Sequence, residues 1–247
     1  MRVDLGSHAL NVEASGSGSP TYLCLHGLVD TVAIWDHLAE PLAERGTVLR
    51  VDQRGHGKSG TPPGATGRED LAADVVAVLD SQGIDRAILV GHSMGGIVSM
   101  ATALEHPDRV SGLVLIGTAS RCNEKVAGWY ERIARAGETD GCEGLSRAIY
   151  GKDSRRRVEG DAAGIAQVTR MLKSLYDDPL TEKLARVECP VLLLVGEKDP
   201  MGPRASEIIA ENLADATLEV VPDCGHWIHV EAPDVILRAL DGWSANR

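Results

Sequence analysis

Phenylalanine is missing from all 247 residues, and the only other aromatics are four tryptophans and four tyrosines. So few flat side chains leave little on which nucleobases could stack, which argues against nucleic-acid binding. No stretch nears the ~18 consecutive apolar residues that a membrane span needs. The opening MRVDLGSHALNV lacks an apolar h-region, so no signal peptide is expected. No basic run offsets a net charge of -11, and such a surface repels nucleic acid and anionic membranes. Cysteines are few and odd in number, at 24, 122, 142, 189 and 224, with no C-x-x-C pair. Cys24 and Cys189 flank apolar runs and read as small buried residues. Reduced thiols in a cytoplasmic protein are the simplest account. No clustered ligand motif suggests a metal, and none suggests an organic cofactor.

What is present suits one full core: 43% of residues are hydrophobic and a quarter are charged. Residues 1–14 alternate apolar and polar, as the first strand of a hairpin would. A Ser/Gly turn through Pro20 follows. Short apolar runs then recur at Thr21–Leu25, Thr47–Val51, Ala87–Val90, Leu113–Ile116, Val191–Val195 and Thr217–Val221. Such runs suit parallel strands buried on both faces. Helical patterns fall between them, at 31–45, 69–82, 96–105, 205–213 and 232–243. Strand–helix alternation predicts an α/β fold, a mostly parallel sheet with helices on both faces.

One stretch breaks the rhythm. Between Ala119 and Arg186 no strand-like run occurs, and a structureless loop that long would be unusual. Residues 120–186 therefore read as an inserted helical cap on a core domain of 1–119 and 187–247. Aromatic and methionine anchors in it, Trp129, Tyr130, Tyr150, Met171 and Tyr176, are candidates for the roof of a substrate pocket, alternatively for cap-to-core contacts. Trp227 is a further candidate from the core.

Gly91-His92-Ser93-Met94-Gly95 matches G-x-S-x-G. It lies between an apolar strand and a small-residue helix, where a sharp turn thrusts the serine Oγ out at the top of the sheet. A neutral serine needs a base. His226 follows a strand at the same sheet edge; His229, three residues on, is the rival. The imidazole in turn needs an acid, and Asp199 in Gly196-Glu197-Lys198-Asp199-Pro200 is at a strand's C-terminal end. Glu197 and Asp223 are the other acids nearby. The order Ser, Asp, His fits this architecture.

These motifs, with His26-Gly27, Asp52-Gln53-Arg54-Gly55-His56-Gly57 and the Gly225–Pro233 stretch, make the chain resemble the α/β-hydrolase family over nearly its whole length. The resemblance implies an eight-stranded sheet whose second strand is antiparallel, with a lid after strand six. It also implies an oxyanion hole from the backbone N–H groups of Leu28 and Met94, with His26, Arg54 and His56 bracing loops. The expected activity is cleavage of a small-molecule carboxylic ester or lactone through an acyl-enzyme on Ser93. Alternatives on the same triad are a carbon–carbon bond hydrolase or a cofactor-free perhydrolase. The absence of Gly-Pro-Gly or Trp-Pro after His26 demotes both. An alternative of another class is a hydrolase-like ligand receptor with negligible turnover. Oligomeric state stays open.

Overall fold

The period-two pattern of residues 1–14 hides a turn. In a computed structural model that describes residues 1–245, β1 (Arg2–Asp4) and β2 (Ala9–Ser15) both fall inside that stretch. They form an antiparallel hairpin, Val3 opposite Leu10. The single leading strand expected there is thus two short ones. A turn breaks the run, with Gly6 at φ +81 and the N–H of Leu5 donating to the carbonyl of His8.

The remaining strands are β3 (Thr21–Leu25), β4 (Thr47–Asp52), β5 (Ala87–His92), β6 (Val110–Ile116), β7 (Val191–Gly196) and β8 (Ala216–Val221). They form one eight-stranded sheet in the order β1-β2-β4-β3-β5-β6-β7-β8. β2 runs antiparallel to β4, and every pair from β4 to β8 is parallel. The eight strands and the antiparallel second strand are those the family resemblance implies.

Alternation along the central strands splits the core in two. Leu23, Leu25, Leu49, Val51, Leu89, Leu113 and Leu193 point to one face. There they meet α2 (Arg68–Ser81) and α3 (Met94–Glu105) through Leu71, Val75, Val78, Ile97 and Met100. Tyr22, Cys24, Val48, Val90, Val114 and Leu192 point to the other face. Their partners are α1 (Asp36–Ala43) and α8 (Pro233–Ala245), through Leu38, Leu42, Ile236 and Leu240. α6 (Pro203–Glu211) and the short α7 (Ile228–Glu231) complete the set. Residues 32–35, expected at the start of a helix, form a 3-10 turn before α1.

Two helices occupy the long insertion, α4 (Glu124–Tyr150) and α5 (Ala162–Asp177). Gly141, at φ 62 and ψ −151, breaks α4 in mid-course. The amphipathic stripe of α5 is Val168, Met171, Leu172 and Leu175, at i, i+3, i+4 and i+7, and it packs into the first core. A third, smaller cluster joins Ile133, Leu145, Val158 and Ile165 to Val29 of the loop after β3. Among the described residues no helix is long and apolar enough to cross a membrane. The five cysteines form no disulfide; Cys24 and Cys224 are buried, whereas Cys189 is only half-buried.

Candidate active site

Parallel strands leave their C-terminal ends along one edge, and the polar residues singled out above gather there. Ser93 joins β5 to α3 at φ 50 and ψ −112, a conformation L-residues rarely adopt. Its N–H donates to the carbonyl of Ile116 at 2.9 Å, and Thr118 Oγ1 donates to its carbonyl at 2.7 Å. The flanking glycines permit the turn. A Cβ on Gly91 would lie 2.4 Å from the carbonyl oxygen of Gly95, and one on Gly95 would lie 2.0 Å from that of Leu25. β5, α3 and the end of β3 therefore meet where no side chain fits.

Asp199 and His226 come from the loops after β7 and β8. His226 Nδ1 donates to Asp199 Oδ2 at 2.8 Å, which leaves Nε2 free to take a proton. The other carboxylate oxygen of Asp199 accepts from Met201 N–H at 2.8 Å, and the Asp199 side chain is fully buried. Beneath the pair lies Gly117 at φ +52. A Cβ there would stand 2.9 Å from Asp199 Oδ2 and 3.2 Å from His226 Nδ1. The rival acids are occupied elsewhere: Glu197 accepts from the N–H of Asp223, and the Asp223 carboxylate pairs with Lys198 at 2.7 Å. His229 is buried in α7 with its ring against Trp35 and His92, at 4.7 and 4.3 Å. Burial holds it down to about pKa 3, so it stays neutral.

Met94 opens α3, so its N–H has no helical acceptor, and the positive end of the helix dipole points to the same place. The loop carrying Leu28 lies beside it, since a Cβ on Gly95 would also come 2.9 Å from the carbonyl oxygen of His26. His26 ties that loop down: its Nε2 accepts from Gln53 N–H at 3.0 Å, and Gln53 Nε2 donates to its carbonyl at 2.7 Å. Arg54 makes two bonds to Asp74, at 2.6 and 2.8 Å, both side chains being buried. His56 is buried with Nδ1 3.0 Å from the carbonyl of Arg54. These three residues hold loops together away from the reacting groups.

Four further residues belong to the site. His92 Nε2 donates to the carbonyl of His226 at 3.0 Å. Val29, next to Leu28, sits at φ +64, which costs a β-branched residue on the order of 1–2 kcal/mol. Burial among Ile133, Leu145, Val158 and Ile165 holds it there. Asp30 is buried, with Trp227 Nε1 donating to its Oδ2 at 3.4 Å. Burial pushes its carboxyl up to about 6, against the opposing pull of Trp227, Arg156 and His226. The Arg156 guanidinium lies over the rings of Tyr150 and Trp227. No local pattern flags Val29 or Arg156. Asp30 and His92 stand next to motifs, yet their partners are remote in the chain.

The six pocket candidates separate. Trp227 lies edge-on to the His226 ring at 5.2 Å, and Tyr150 lies under Arg156. Tyr130 is half-buried between the first and third clusters. Met171 lies on the inward stripe of α5 and belongs to the core. Trp129 and Tyr176 fall off the inward stripes and stay 39% and 48% exposed. Those three do not come to the triad. Among the described residues no group of three or more His, Cys, Asp or Glu is placed to share a metal ion.

A parallel sheet with its polar residues gathered at the C-terminal strand ends is the architecture of an α/β enzyme. Residues 20–233 match the family model described as alpha/beta hydrolase fold, and the chain belongs to that family. It is 29% identical to the 2-(acetamidomethylene)succinate hydrolase of Mesorhizobium japonicum, over 97% of this chain and 92% of that protein. It is 28% identical to 3-oxoadipate enol-lactonase 2 of Acinetobacter baylyi, over 94% and 92% respectively. The solved structure of a thermophilic esterase from Thermogutta terrifontis superposes with a TM-score of 0.88, covering 100% of this chain and 98% of that one. At 24% identity, that likeness shows the fold.

Proposed function

We propose that the protein is a serine hydrolase of small carboxylic esters or lactones, with Ser93 as nucleophile, His226 as base and Asp199 as the acid behind it. One observation carries the reading: a buried carboxylate 2.8 Å from His226 Nδ1, at the sheet edge where a strained serine faces out. The enol-lactonase among the relatives supports the same bond type.

Ser93 Oγ attacks the carbonyl carbon as His226 Nε2 takes its proton. The negative charge on the carbonyl oxygen falls to the N–H groups of Leu28 and Met94, each such donor typically worth ~10²–10³ in rate. His226 then hands the proton to the departing alkoxide, leaving an acyl-serine. Water, losing a proton to His226, attacks the acyl carbon. The acid leaves, and Ser93 recovers its proton. Residues 1–119 and 187–247 carry this chemistry, and residues 120–186 form the cap over it. Cysteines that form no disulfide fit a cytoplasmic setting.

Steady-state turnover of wild type and Ser93→Ala on p-nitrophenyl esters, lactones and a ring-cleavage dienoate tests the reading. Many turnovers on an ester or lactone, lost in Ser93→Ala, support it. A single slow turnover across the set would instead indicate a receptor, and full activity in Ser93→Ala would remove the nucleophile.

A further inference from the structure

Between α4 and α5 the chain carries three arginines in a row, Arg155, Arg156 and Arg157, in a protein of net charge -11. The stretch is clamped on its C-terminal side. Val158 is buried, and its N–H donates to Ser146 Oγ of α4 at 2.9 Å. The carbonyl of Glu159 accepts from Gly57 N–H at 2.9 Å, and Asp161 N–H donates to the carbonyl of Gly55 at 2.8 Å. These bonds fix the arginines against the loop that follows β4.

The Arg156 side chain is exposed and stacks on two rings. Its guanidinium carbon lies 4.8 Å from the centre of the Tyr150 ring and 5.1 Å from that of Trp227. Trp227 in turn lies 5.2 Å from the His226 ring, so a single indole stands between guanidinium and imidazole. Stacking engages the flat face of a guanidinium and leaves its in-plane fork of N–H donors available. Among the described residues no carboxylate or carbonyl accepts from the Arg156 fork. Arg157 differs, since it donates to the backbone carbonyls of Ser154 and Arg156 at 2.8 and 3.0 Å. Val29, Asp30, Tyr150, Arg156, Arg157 and Glu159 line a cavity of about 290 Å³ beside the Leu28 loop. The Asp30 carboxylate within it is turned toward Trp227 Nε1 and His92.

A planar fork with an aromatic floor, open on its donor edge, fits a carboxylate in two parallel bonds. We propose, resting on the serine-hydrolase reading above, that Arg156 is a specificity residue. It binds a free carboxylate that the substrate carries a few carbons beyond the scissile carbonyl. The preferred substrates are then half-esters or lactones of short dicarboxylic acids, and neutral esters are poorer.

The test compares monomethyl with dimethyl esters of succinate, glutarate and adipate. The enzymes are wild type, Arg156→Ala, Arg156→Lys and Arg155→Ala, each checked for an unchanged melting temperature. Wild type should favour the half-ester. Arg156→Ala should raise its KM by about 10–100-fold, the usual worth of a charge-assisted contact, with the diester within about twofold. Arg156→Lys should restore part of the loss, and Arg155→Ala, at an exposed residue outside the cavity lining, should resemble wild type. Equal losses on both ester types, or no preference in the wild type, would overturn the assignment. Calorimetric titration of Ser93→Ala with monomethyl glutarate separates binding from chemistry. Binding that disappears in the Ser93→Ala, Arg156→Ala double variant upholds the carboxylate site even if Ser93 proves not to be the nucleophile. Binding of equal strength to both proteins sinks it whatever the turnover results.

Discussion

His92 Nε2 donates to the backbone carbonyl of His226 at 3.0 Å, and the two imidazoles stand 4.7 Å apart. The residue before the proposed nucleophile thus holds the loop that carries the proposed base. A carbonyl only accepts, so Nε2 must bear the proton, and Nδ1 is left facing Asp30 Oδ2 at 3.9 Å. Burial keeps His92 well below its ordinary pKa and therefore neutral. His92→Ala should lower kcat by about 10–100-fold with KM nearly unchanged, because the base loses its tether and the ester does not lose a contact. A change confined to KM would contradict a positioning role.

Asp199→Asn keeps the shape of the site but presents an amide to His226 Nδ1. The imidazole then favours the wrong tautomer. A fall in kcat of ~10⁴ is expected, with the fold intact by circular dichroism. A loss of less than tenfold would move the acid's role to another carboxylate.

Asp30 should make stability depend on pH in an unusual direction. Its folded pKa of about 6 lies above the ordinary carboxyl value of 3.8. Between those values the native state binds more protons than the unfolded chain, so stability falls as pH rises through that window and stays lower above it. Asp30→Asn should therefore stabilise the protein by up to about 3 kcal/mol near pH 7.5 and hardly at all near pH 4. Urea melts at the two pH values check this; an equal effect at both would refute it.

The buried histidines act in the opposite sense. His56 and His229 titrate near 3 when folded, against 6.5 for the free side chain. Below 6.5 the unfolded chain takes up protons that the native state refuses, so stability is lost as pH falls toward 3. Each contributes a loss of about 2 kcal/mol by pH 5. His229 has no hydrogen-bond partner on either ring nitrogen. His229→Leu should therefore flatten the acid limb of the melting curve, and an unaltered slope would show that His229 is charged or exposed in the native state.

The α/β sheet was legible because its parallel strands β3 to β7 are buried on both faces and read as apolar runs. The candidate site around Ser93, Asp199 and His226 was legible for a related reason: each of the three follows a strand at its C-terminal end. Residues 1–14 misled because a period of two survives a tight turn, so two strands read as one. Met171 was left open between pocket and core because an apolar residue on a helix stripe fits both equally well, and only the neighbours of α5 decide. Val29 and Arg156 carried no signal. A valine at positive φ breaks local preference, and a triple arginine reads as a solvated run until Trp227, some 70 residues on in the chain, is brought under it.

The strained φ of Val29 has its counterweight outside the sheet, in side chains of α4, α5 and the strand of chain between them. The backbone next to Leu28 is therefore shaped by two separate stretches of the gene product at once. An insertion that lacks the Ile133, Leu145, Val158 and Ile165 socket would release the valine to an ordinary conformation. Grafts that exchange residues 120–186 alone should lose rate even on substrates the new roof accommodates, whereas grafts that carry position 29 with its socket should keep it. For this scaffold, the unit of inheritance for specificity is larger than the insertion.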